Sequence, residues 1–214
     1  MTKTRIDPLT DWKGFYEELQ KESARGAVII AGAFLDTQLR NLISKYLIDY
    51  KKFVDELLDH SLSSFDSRIK AAYNLELIDE TMYHDLIAIK NIRNPFAHKM
   101  HGYSFDEPEI ISLCNSLKIA NMITDAVPDF PNSPGNKFLL CVTSLANWLA
   151  LKTLEVEGRN KPASEIQTWQ GIRGGKRKQE SCPRPSLIKR FTLMPAFLIC
   201  SKMSIIAKTP IYCS

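Results

Sequence analysis

The chain has 214 residues, 44% of them hydrophobic and 24% charged, the balance of an ordinary globular protein with length enough to bury a core. That composition excludes a disordered acidic protein, a collagen and a disulfide-dense miniprotein. The formal net charge of +4 conceals a division: residues 1–157 carry 17 Lys and Arg against 22 Asp and Glu, a net of −5, whereas residues 158–214 carry 11 against 2, a net of +9.

The N-terminal MTKTRIDPLTDW has no apolar run of signal-peptide length. From Ala24 to Asp49, Val28, Ala31, Leu35, Leu39, Leu42 and Tyr46 recur at steps of three and four, which predicts a helix, central and buried because residues 27–35 are apolar almost all round. A short helix is predicted around Lys52–Asp59. Ser63 or Ser64 then caps a helix carrying Phe65, Ile69, Ala72 and Tyr73 inward, since a hydroxyl there accepts an orphan backbone N–H. Asp79 caps the next, with Met82, Leu86, Ile89 and Phe96 on one stripe. Asp106 with Glu109 reads as a capping signature, and Pro108 suits a first turn, where its missing N–H is not needed. One helix is predicted from there through Ile110, Leu113, Leu117, Ala120 and Ile123. The segment PDFPNSPG, residues 128–135, is a loop by its prolines and glycine. A last helix, Phe138 to about Val156, places Phe138, Val142, Leu145, Leu149 and Val156 inward. The fold class is all-α, a helical bundle over residues 1–157.

After Gly158 the pattern changes: five prolines, a Gly-Gly pair, the basic run GGKRKQ and no sustained period predict a disordered or irregular basic tail over 158–214. Its most apolar stretch, Phe191–Cys200, contains Pro195 and is about half the ~20 residues that cross a bilayer. Five cysteines without a C-x-x-C pair, two of them (Cys114 and Cys141) inside helical patterns, suit a reduced cytoplasmic protein with no membrane association.

One string, Ile92-Arg93-Asn94-Pro95-Phe96-Ala97-His98, could carry chemistry. Pro95 disfavours helical geometry at Asn94, so the helix from Asp79 is expected to kink or break there, freeing Asn94 to cap a new turn. On an unbroken helix residues five apart point about 140° away from each other, but a break would let Arg93 and His98 converge. Arg offers a fork for phosphate and His moves a proton near neutral pH, so Arg93, Asn94 and His98 form a candidate anion site. His98, His101 and His84 lack a Cys or carboxylate placed to complete a four-ligand set, and no metal is predicted. No phosphate loop, dinucleotide fingerprint or nucleophile elbow is present, which excludes those enzyme classes, and no cofactor is predicted.

Arg93-Asn94-x-x-x-His98 within an all-α domain resembles the signature of the HEPN superfamily, many of whose members are metal-independent ribonucleases that dimerise around a composite site. A wider match is carried by Ser67-Arg68-Ile69-Lys70-x-x-Tyr73-x-Leu75-x-x-Ile78, Tyr83-x-Asp85, Arg93-Asn94-x-x-x-His98, Phe105 and Glu109-Ile110, with the helix Ala24–Tyr46 and the last helix around Val142–Leu149. These residues resemble the mannitol operon repressor family over roughly residues 20–157. The resemblance implies a regulator without a helix-turn-helix reader, acting through another protein.

Three functions follow. The first is a transcriptional regulator that is not an enzyme and works through protein contacts, as a homodimer; its acidic body disfavours sequence-specific DNA docking, which rests on neutralising phosphates, and leaves only the tail 158–214 for non-specific nucleic acid. The second is a HEPN-type endoribonuclease, with His98 as general base for a 2′-hydroxyl, Arg93 on the scissile phosphate and Asn94 positioning them. The third is a dimeric scaffold in which Arg93 and His98 only hold a helix. Elsewhere, Arg68 and Lys70 beside Asp66 read as a solvated face. Asp36, inside an apolar helix, needs a partner, with Arg68 and Arg93 the candidates. Tyr73 and Tyr83 read as core and rim.

Overall fold

The helix with the most continuous apolar face, α2 (Ala24–Tyr46), is the axis of the molecule: of the predicted stripe, Val28, Ala31, Leu35, Leu39 and Leu42 are buried, and Tyr46, at its end, is exposed. The computed structural model describes residues 8–47, 50–99, 102–127 and 130–157; within these are eight helices and no strand. The tail 158–214, with its expected irregularity, lies outside the described residues.

Helix α2 starts where the Ser23 hydroxyl accepts from the Gly26 N–H, and it packs against α8 (Pro134–Glu157), α5 (Glu80–His98), α4 (Phe65–Asn74), α1 (Pro8–Lys21) and, at its end, α3 (Lys51–Asp59). Helix α1, which the sequence patterning did not single out, places Tyr16 and Leu19 in the core. Helix α8 begins four residues earlier than expected, at Pro134, and buries Phe138, Val142, Leu145, Leu149 and Val156 as expected. It is long and apolar enough to cross a membrane by length and composition, yet half of that stretch is buried in the bundle. Its hydroxyls stay satisfied inside the core, since Thr143 donates to the Leu139 carbonyl at 2.8 Å.

The local caps at α4 and α5 are formed as read. Ser64 accepts from the Ser67 N–H in a reciprocal box, and Asp79 accepts from the Met82 N–H at 2.9 Å. The short helix is α3 (Lys51–Asp59), with Val54 and Leu58 inward.

Three expectations are corrected. Asp106 and Glu109 do not cap a helix: the residue before α6 (Pro108–Asn115) is Glu107, without a side-chain cap, while Glu109 reaches back to the Tyr103 hydroxyl and the Lys99 ammonium. Pro108 does sit at the start of α6. The single helix expected from Ile110 to Ile123 is two, α6 and α7 (Lys118–Ala126), parted at Ser116-Leu117. Arg68 is not on a solvated face but buried, its Nη1 2.7 Å from Asp36 and its Nη2 donating to the Leu58 carbonyl at 3.3 Å. Asp36 thus has one of its two expected partners, and the pair ties α2 to α4. Lys70 is on the surface as read; with Lys90 it binds Asp66, and both ammonium groups hold that carboxyl below the usual carboxylate range.

Candidate functional site

Helix α5 supplies the string Arg93–His98 and also the most deeply buried carboxylate among the described residues, Asp85. The helix runs through Pro95 to His98, where the Lys99 N–H closes it on the Pro95 carbonyl, so the expected break is absent. Pro95 lies in the last turn, where its missing N–H deprives only the carbonyl of exposed Asn91 of a donor. Buried Ile92 and Phe96 on either side anchor that turn.

Without a break, Arg93 and His98 keep their separation of about 140° around the helix, and the helix does not bring them to a common point. Arg93 lies flat across α2, so close to Gly32 that a Cβ there would stand 2.5 Å from the Arg93 Cδ. A larger residue at position 32 would force the Arg93 side chain to move. The Arg93 Nε is buried without a hydrogen-bond partner, Asn94 and His98 are exposed, and His101 lies outside the described residues.

The other end of α5 holds a tighter constellation. Asp85 is wholly buried on the stripe that carries Met82, Leu86 and Ile89. Its Oδ1 accepts from the Lys118 N–H and its Oδ2 from the Ile119 N–H, each at 2.8 Å. These are the first two amides of α7, a helix with no side-chain cap of its own, so a carboxylate from α5 meets both its orphan donors and its dipole. That contact is the physical reason the chain breaks between α6 and α7. The Cys141 thiol of α8 adds a contact to Asp85 Oδ2 at 3.4 Å, and burial together with the Asp85 charge pushes its pKa well above the usual thiol range, so it stays a protonated donor. Cys114 is likewise pushed up to about 12 by burial. Neither thiol is poised as a nucleophile.

Above Asp85 the imidazole of His84, partly exposed, places Nδ1 3.1 Å from Asp85 Oδ1. His84 lines an open groove of about 370 Å³ together with Tyr73, Tyr83, Asn91, Ser116 and Lys118. The two tyrosine rings meet at 4.7 Å, tilted by 33°, with Tyr73 more exposed than a core residue and Tyr83 half-buried. An open surface of imidazole, lysine and phenol rings suits the side chains of a macromolecule better than a small molecule, which a pocket normally encloses. Among the described residues no three His, Cys, Asp or Glu side chains are grouped to hold a metal ion. Asp85 enters the sequence reading only within the Tyr83-x-Asp85 match, yet its place three residues after Met82 and one before Leu86 puts it on the buried face of α5, the same signal that marks Asp36.

Residues 13–147 match the family model described as Mannitol repressor. Among solved structures, the chain is similar to a chain in the X-ray structure of the MtlR–HPr complex from Escherichia coli, at 16% identity and a TM-score of 0.50, over 64% of this chain and 99% of that one. At that identity the likeness is one of fold. No curated protein matches the chain.

Proposed function

The chain belongs to the mannitol repressor family, and on that premise we propose that it is a cytoplasmic regulator of transcription that works as a homodimer by binding a protein partner of the HPr type. The observation that carries the reading is the extent of the family match: residues 13–147 run from within α1 into α8, so they reach every helix of the bundle. The neighbour that shares this fold is in complex with HPr. The charge of the body supports a protein partner over a duplex, because 17 bases against 22 acids leave little to displace counterions from phosphate. Two of the inward charged groups are taken up in holding helices, Asp85 on α7 and Arg68 on Asp36 and Leu58, and so are not offered to a partner.

Deleting the gene raises the mannitol-operon transcript in cells grown without mannitol, and supplying the full chain in trans lowers it again. An unchanged transcript in the deletion strain, measured by quantitative reverse transcription, overturns the regulatory reading.

A further inference from the structure

Helix α3 carries two apolar stripes where one is enough to hold it on the bundle. Val54 and Leu58 face inward and are buried. On the other side Phe53 and Leu57, four apart, are exposed, and Tyr50, the residue that precedes the helix, extends the stripe with its ring 4.6 Å from that of Phe53; Phe53 is exposed to 63% and Tyr50 to 47%. Among the described residues nothing covers this stripe, and another exposed aromatic, Tyr46, ends the preceding helix.

The charges beside the stripe are ordered. Lys51 and Lys52 stand at the N-terminal end of α3, and Asp55, Glu56 and Asp59 follow toward its C-terminal end. That order opposes the helix dipole, which favours acids at the start and bases at the end. Asp59 is answered by Arg40 at 2.7 Å, but Lys52 and Glu56 have no ion-pair partner among the described residues. An antiparallel copy of the same helix reverses the order and answers both.

We infer that the outer stripe of α3 is the dimer interface, occupied by α3 of a second copy of this chain in antiparallel register. The inference rests on the homodimer proposed above and names its surface. About a two-fold axis beside Phe53, each Phe53 meets the second copy's Phe53, Tyr50 meets the second copy's Leu57, and Lys52 meets the second copy's Glu56. Aromatic, aliphatic and charged pairs fall into place in one register, which is the self-complementarity an isologous contact requires. The two helix dipoles run antiparallel, and each acid-rich end lies beside the other copy's lysines. A nine-residue helix offers a contact at the small end of specific interfaces, so the dimer dissociates in roughly the micromolar range.

Sedimentation velocity of the full chain from about 1 to 200 µM tests this across the range expected for so small an interface. The wild-type chain shifts from monomer to dimer. Phe53→Asp, at an exposed position, raises the dissociation constant at least ~10-fold with the helical circular dichroism unchanged, as expected for an apolar anchor at an interface centre. Lys52→Glu and Glu56→Lys each weaken the dimer, and the two together restore it, because the swap reverses both charges of each pair. A wild-type chain that stays monomeric throughout overturns the homodimer itself. A dimer untouched by Phe53→Asp, or a charge swap that fails to restore it, overturns this surface and leaves the homodimer standing.

Discussion

Replacing Asp85 by Ala lowers the stability of the bundle by about 3 kcal/mol, a fall of roughly 10 °C in melting temperature for a domain of this size. The carboxylate is wholly buried and accepts two backbone N–H bonds at 2.8 Å, so its removal orphans two donors at the start of α7 and leaves a cavity beside Cys141. Asp85→Asn keeps one acceptor oxygen and loses about half as much. His84→Ala, which removes a partly exposed ring from the same carboxylate, changes stability by less than about 1 kcal/mol. Thermal denaturation ranks the three variants, and hydrogen exchange locates the effect: in Asp85→Ala the α7 amides exchange fastest. An Asp85→Ala chain that melts with the wild type would show that Asp85 does not hold α7.

Phe96→Ala costs about 3–5 kcal/mol, the range for a large buried aromatic. Phe96 is wholly buried, edge-on to Tyr103 at 5.0 Å and 5.6 Å from Phe105, whose ring in turn meets Phe138 at 5.5 Å. This chain of rings fixes the end of α5 and the loop before α6 against α8. Asn94→Ala, two residues earlier and exposed, moves stability by less than about 0.5 kcal/mol. The contrast separates the parts of Arg93–His98: Phe96 holds the fold, while Asn94 and His98 remain on the surface. Equal melting of the two variants in urea would contradict that division.

What was legible in the sequence follows from the range of each interaction. The buried stripes of α2, α4, α5 and α8 could be read because a helix brings residues three and four apart to one face, and Ser64 and Asp79 because a cap acts within one turn. The division of α6 from α7 could not be read, since the cap that makes it comes from Asp85, more than thirty residues earlier. Arg68 looked like a surface base beside Asp66 and Lys70 and was also a candidate partner for Asp36; the pair joins two helices, so only the fold decides between the two. Pro95 misled in the opposite sense. Its local preference for a break was real, but buried neighbours and its place in the last turn override it, and the convergence of Arg93 with His98 depended on that break. Gly32 carried no periodic signal at all, because its role is to be small where Arg93 crosses α2.

Two surfaces stand out among the described residues: the exposed apolar stripe of α3, and the open groove over His84, polar and aromatic. A regulator of this family needs at least one surface for its partner. Calorimetric titration of the full chain with purified HPr from the same organism tests most directly whether this protein works through such a contact. The expected result is saturable binding with one HPr per protomer and a dissociation constant in roughly the micromolar range typical of transient signalling contacts. A folded chain that takes up no HPr at concentrations of about 200 µM, well above that range, would contradict it.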